Sequence, residues 1–229
     1  MLMRTAMHPI SSRQTATVGR NGPPPRHHAS GNSLDLMGAP MPFARNVEIY
    51  GEDEPAEYLY KVVSGAVRTY RVLNDGRRQI GAFLLPGDIF GLEAGATHGT
   101  SAEAVADSVV LVIKRSAVMA LAERDPDVAR QLWTLTAQEL GRAQNHMLLL
   151  IRNAQERIAS FLLEMADRVA GGNSVELPMS RQDIADYLGL TIETVSRTLT
   201  QLEAEAAIAL PTSRRVVLRN RSALSELNA

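Results

Sequence analysis

The chain has 229 residues, 45% of them hydrophobic, no cysteine and a formal net charge of −1. That length can hold two modest domains with a real core, and the missing cysteines exclude disulfides, thiolate zinc sites and cysteine-ligated iron-sulfur clusters. No apolar run approaches the roughly 18 residues of a membrane span and the N-terminus carries no signal-peptide apolar core, so no membrane partner and a cytoplasmic location are expected.

Residues 1–38 hold four Arg against one Asp among Gly, Ser, Pro and His, with no apolar periodicity, and read as a disordered tail. Such an Arg-rich, acid-poor stretch could imitate a transit peptide, but its Gly and Pro breaks spoil an amphipathic helix. The adjacent His27 and His28 have no further ligand at metal-binding spacing and are expected to be solvated. From residue 43 to 114 short apolar runs alternate with Gly, Pro and the hairpin signal Asn74-Asp75-Gly76, and the alternation over 66–73 suits a half-buried strand. Several short strands with regular turns predict a jelly roll or β-roll over 39–126. A jelly roll can also host a metal enzyme, which needs several converging His or carboxylates. His98 stands alone in a Gly- and Thr-rich loop and is expected at the surface, so no metal ligand, cofactor or catalytic residue is assigned.

Asp125-Pro126 then opens a helix with Pro in its first turn, and residues 127–152 contain no Pro and a single Gly. Trp133, Ala137, Leu140, Gln144, Met147, Ile151, Ala154 and Ile158 alternate spacings of four and three, which is a heptad seam. Leu132, Leu135 and Leu149 form a second stripe. One stripe can pack on the roll while the other faces a twin, so 127–155 is predicted to be the dimerisation helix of a homodimer, with Trp133, Leu140, Met147 and Ile151 at the contact. The plainer alternative is one buried amphipathic helix in a monomer.

Residues 153–170 predict another helix, ended by Gly171-Gly172, with a brief strand over 175–177. The stretch 180–203, SRQDIADYLGLTIETVSRTLTQLE, then reads as a helix-turn-helix. Ser180 and Asp183 make a capping signal, Ile184, Ala185 and Leu188 recur at helical spacing, and Gly189 stops the first helix. Thr191 can cap a second helix whose Val195, Leu199 and Leu202 share one apolar face. From the other face Glu193, Ser196 and Arg197 project together. Arg is bidentate to guanine O6/N7, a carboxylate accepts from cytosine N4 and Ser is adaptable, so the three suit major-groove readout of a guanine-containing site. The alternative is an exposed i, i+4 ion pair worth about 0.2–0.5 kcal/mol that touches nothing else.

Beyond it, 207–210 and 215–218 read as strands joined at Pro211-Thr212-Ser213, and 222–227 as a closing helical turn, together a wing. The segment 156–229 carries eight basic against ten acidic residues, but 214–221 holds four Arg and no acid. Positive charge is therefore focused. Ser180, Arg181, Thr191, Thr194, Thr200, Arg214 and Arg215 are the candidate phosphate contacts, which position a protein on DNA and make binding salt dependent.

TIETVSR followed by LTQLE resembles the recognition helix of the CRP/FNR family of bacterial transcription regulators, and the Glu193, Ser196, Arg197 order resembles its FNR and FixK branch. The resemblance implies an α+β chain of four parts: the tail, a cyclic-nucleotide-binding-like β-roll over 39–126, the dimerisation helix and a winged helix-turn-helix over 156–229. It implies binding to TTGAT-type inverted repeats, with Arg197 on the guanine, Glu193 on the base opposite a neighbouring position and Ser196 on a thymine. Double-stranded DNA, a second copy and RNA polymerase are the implied partners, activation the implied outcome, and no enzymatic activity is expected. Gly65 and the run from Leu85 to Gly91 resemble the family's corner glycines, but its cyclic-phosphate pattern is broken. Where a Gly-Glu-Leu turn and an Arg-Ser pair are expected, this chain has Gly91-Leu92-Glu93 and Thr100-Ser101, so cyclic nucleotide binding is not expected. Two further departures are Ser180, where some FixK-like proteins carry Cys, and Ala206, where a Gly commonly ends the recognition helix in a left-handed conformation.

Overall fold

The computed structural model describes residues 37–169 and 172–227. The expected tail lies outside it except for its last two residues. The strands β1 (Ala39–Phe43), β2 (Glu48–Tyr50), β3 (Tyr58–Ser64), β4 (Val67–Val72), β5 (Arg78–Leu84), β6 (Ile89–Phe90), β7 (Ser101–Ala104) and β8 (Ser108–Lys114) come first. They pair antiparallel in two four-stranded sheets, ordered β1-β8-β3-β6 and β2-β7-β4-β5. Alternate residues of both sheets, among them Tyr60, Val62 and Val110 from one and Tyr50, Val67 and Leu84 from the other, meet in a shared core. Gly65 takes φ +83°, and a Cβ there would lie 2.2 Å from the Ser108 hydroxyl that bridges to Ala66, so only glycine fits this corner.

His98 is not a surface residue. It is 1% exposed and its ring stacks on Tyr50 with centroids 3.6 Å apart. Backbone bonds tie its loop down: the His98 amide donates to Glu54 and its carbonyl accepts from Asp53. Loop composition alone pointed outward; an aromatic platform beneath the loop, distant in sequence, draws the imidazole in.

Helices α1 (Arg115–Ala122) and α2 (Pro126–Leu150) follow. The Asp125 carboxylate accepts from the Asp127 amide, capping α2 one residue before its Pro. Its two stripes have opposite surroundings. Leu132 and Leu135 pack against the roll residues Leu59, Ile89 and Ile113, and Leu149 is buried, whereas Trp133, Leu140, Met147 and Ile151 are exposed. The predicted seam stops at Ile151, because α3 (Ala154–Arg168) is a separate helix started by an Asn153 and Glu156 capping box. Ile158 accordingly belongs to another core, 1% exposed and beside Phe161, Leu162 and Met165, rather than to the seam.

The C-terminal part adds β9 (Ser174–Glu176), α4 (Arg181–Leu188), α5 (Ile192–Ala204), β10 (Ile208–Ala209), β11 (Arg215–Leu218) and α6 (Arg221–Glu226), with a sheet ordered β10-β11-β9. Ala206 adopts the left-handed conformation, φ +56°, without a glycine's freedom, and the chain turns there as the Ala207 amide bonds back to Leu202. The core of this part runs without a break into the roll. Phe83 of β5 meets Phe161 of α3 edge-on at 6.2 Å and Tyr187 of α4 at 5.1 Å, pairs that each add about 0.5–1.5 kcal/mol to simple burial.

Candidate nucleic-acid interface

The sequence of α4 and α5 explains how this surface is held. Ser180 accepts from the Asp183 amide while the Asp183 carboxylate accepts from the Ser180 amide at 3.0 Å, closing the capping box of α4. Gly189 ends that helix at φ +62°. The Thr191 hydroxyl accepts from the Thr194 amide at 3.2 Å and starts α5. Val195, Leu199 and Leu202 are buried on one side, Val195 and Leu202 completely, so the rotation of α5 about its axis is fixed by packing.

On the other side Glu193 and Arg197 are exposed and Ser196 is half-buried. No ion pair among the described residues joins Glu193 to Arg197, so the exposed i, i+4 pair that sequence alone left open is not made. Its own backbone amide, first, and the Thr191 hydroxyl hold the Glu193 carboxyl below its ordinary range. It is an exposed anion that accepts, placed at the helix entrance.

The candidate phosphate contacts fall in three places. Ser180 and Arg181 sit at the start of α4, Thr191 and Thr194 at the start of α5 with Thr200 two turns on, and Arg214 and Arg215 at the start of β11. They are not equally available. The Ser180 hydroxyl donates to Asp183 at 2.8 Å and reaches a phosphate only by giving up that bond. Thr200 donates to the Ser196 carbonyl, and the Arg215 Nε to the Ser174 hydroxyl. Arg181, Arg197 and Arg214 enter no ion pair among the described residues.

Sequence reading missed what lies behind α4. One oxygen of Asp183 accepts from Arg68 of β4 at 2.7 Å and Arg78 of β5 at 2.6 Å, and Arg78 also reaches Asp186 at 2.8 Å. Arg68 is held from its other side by Glu103 at 2.6 Å. Gln79 and His146 both reach the Tyr187 carbonyl, while Arg157 donates to that of Leu188. Asp183 was legible only as a cap, because its two cationic partners lie more than a hundred residues away.

Two families match the chain: a cyclic nucleotide-binding domain over residues 40–125 and a Crp-like helix-turn-helix domain over 156–227. It is 50% identical to the nitrogen fixation regulation protein FixK of Azorhizobium caulinodans, covering 97% of this chain and 92% of that one. It is 38% identical to the transcriptional activatory protein AadR of Rhodopseudomonas palustris, over 86% and 83%. The solved structure of FixK2 from Bradyrhizobium japonicum superimposes with a TM-score of 0.81 at 55% identity, over 84% of this chain and 98% of that one.

The residues of the roll do not fit a cyclic nucleotide. Glu93 faces His98 at 3.1 Å, out of line for a hydrogen bond, and the buried guanidinium of Arg68 is taken up by Glu103 and Asp183. Between the sheets Tyr60 and Phe90 stack at 5.1 Å with Tyr50 tilted against both, and burial pushes the Tyr60 phenol up to about 12. The roll has the nucleotide-binding topology with an aromatic interior. Two matched domains, the FixK likeness along nearly the whole chain and the outward face of α5 lead to one assignment: the chain belongs to the CRP/FNR family of transcription regulators, and within it to the FixK type.

Proposed function

We propose that the protein is a homodimeric activator that binds TTGAT-type inverted repeats in the cytoplasm and recruits RNA polymerase. One observation carries the reading of DNA sequence: Glu193 and Arg197 stand exposed and unpaired with each other on a helix whose opposite face is fully packed. Arg197 then reads the guanine, Glu193 the base opposite a neighbouring position and Ser196 a thymine. Arg181, Thr191, Thr194, Arg214 and, at the cost of an internal bond, Ser180, Thr200 and Arg215 set the register on phosphates.

Dimerisation is supported by the exposed stripe of α2, where Trp133 is 76%, Leu140 59%, Met147 67% and Ile151 82% exposed. A stripe of large apolar side chains at heptad spacing is the composition of an interface. A twin α2 would place two α5 helices about 34 Å apart, one turn of DNA, matching the two-fold symmetry of an inverted repeat. Activation is inferred from the likeness to the transcriptional activatory protein AadR.

The test is a titration of the full chain against a TTGAT inverted repeat and a scrambled duplex of equal length at moderate ionic strength, with sedimentation of the free protein. Preference for the repeat by a dimer is expected. Equal affinity for both duplexes would remove the proposal.

A further inference from the structure

His146 stands on α2 where the roll, the long helix and the first helix of the helix-turn-helix meet. Its Nε2 lies 2.8 Å from the carbonyl oxygen of Tyr187 in α4, and its Nδ1 3.2 Å from the carbonyl oxygen of Gly81 in β5. A carbonyl oxygen only accepts, so each ring nitrogen must bring a proton to make its bond. Neutral imidazole has one N–H. In that form one nitrogen would point a lone pair at a carbonyl lone pair, and one bond would become a repulsion. The ring also stacks on Tyr187 with centroids 4.0 Å apart, a surface that favours a cation.

We propose that His146 is an imidazolium that pins α4 to the roll through these two carbonyls, making the docking of the DNA-reading unit sensitive to pH. The fixed charges around the ring leave this role to the imidazole. On α2 itself Arg142 is closed by Asp88 at 2.8 Å and Glu139 at 2.8 Å, and across the adjoining cavity of about 770 Å³ Arg168 of α3 is closed by Asp88 and Glu164. Arg152 lines the same cavity and is also engaged. From α4 the facing group is the Tyr187 phenol, which burial pushes far above its ordinary range, so it stays neutral. Histidine is the side chain that ordinarily changes charge between about pH 5 and 8. Both bonds stand while the ring holds two protons, and one is lost as pH rises and the second proton leaves.

The experiment uses the full chain labelled with ¹⁵N-histidine. Proton–nitrogen correlation spectra across that range report each ring nitrogen as protonated or bare, and the signal lost in H146Q identifies His146 among the five histidines. Both nitrogens are expected to be protonated at the acid end, with one losing its proton as pH rises. In parallel, hydrogen exchange of the β5 and α4 amides, corrected for the intrinsic pH dependence of exchange, should show protection falling roughly tenfold, the equivalent of one charge-assisted hydrogen bond. H146Q keeps an amide donor without a titrating proton and should show flat protection. One bare nitrogen at every pH, or an unchanged pH dependence of protection in H146Q, would overturn the proposal.

Discussion

The two helices of the helix-turn-helix have similar ingredients and opposite fates. Both are short, both begin with a hydroxyl cap, and both carry acidic residues near the start. In α4 the carboxylates are turned inward, where Asp183 has a side chain only 4% exposed and meets two guanidinium groups from the roll. In α5 Glu193 and Arg197 face out and pair with no other charge among the described residues. The difference teaches that charge on a helix is left available to a ligand only where the rest of the chain supplies no partner. Here β4 and β5 supply partners to the first helix and none to the second, so α4 is anchored on the roll while α5 keeps the unpaired charges that the proposed readout needs.

The largest effect should come from breaking the anchor. Asp183→Ala leaves Arg68 and Arg78 short of a partner and opens the capping box, and loss of one member of a buried charge cluster costs about 3–5 kcal/mol. Urea unfolding of the full chain measures this, with Glu193→Ala as the counterpart expected to stay within about 0.5 kcal/mol of the parent. Equal losses in the two variants would erase the distinction between the anchored helix and the exposed one.

Next comes the exposed face of α5. Arg197→Ala should leave urea stability unchanged while costing about 1–3 kcal/mol of discrimination at the guanine, read by titrating matched and guanine-substituted duplexes. A uniform loss on both duplexes would make Arg197 a phosphate contact instead. Glu193 adds a pH signature to the same titration. Its carboxyl is held below the ordinary range, so its contribution to preference is present above that range and disappears only as pH falls through the lowered value. Discrimination should therefore be flat from neutral down to about pH 5, near and above the ordinary carboxylate range. Smaller again, Arg214→Ala should weaken all duplexes alike and reduce the salt slope by about one.

How much of this was legible follows from the range of each signal. Caps, breaks and apolar faces are local, and Ser180, Gly189, Thr191 and the Val195, Leu199, Leu202 face all stand where spacing placed them. The roll-facing stripe of α2 was equally readable, since it and the exposed stripe differ in register along one helix. What was not legible is long-range. Nothing near Asp183 announces Arg68 and Arg78, and nothing near His98 announces that Tyr50 lies beneath it. Periodicity also ran too far: the heptad count carried past Ile151 into Ile158 because it cannot see the Asn153 cap that begins a new helix with a different axis.

The end of α5 gives the smallest and most local test. Sequence marked Ala206 as a residue poorly suited to a left-handed helix end, and the backbone takes that conformation regardless, at φ +56°. It does so because the turn is fixed from both sides: the Ala206 amide bonds to Glu203, and the carbonyl of the next residue, buried Ala207, accepts from Arg219 and Asn220 beyond β11. A left-handed alanine costs roughly 1–2 kcal/mol, and glycine gives back about 0.4–1 kcal/mol of that through its freer unfolded chain. Ala206→Gly should therefore raise urea stability by about 0.5–1 kcal/mol, with Arg197 discrimination untouched. A destabilised variant would mean that the alanine methyl makes a contact worth more than the strain. In that case the junction of α5 with the wing, like that of α4 with the roll, would be held by packing that outweighs its backbone.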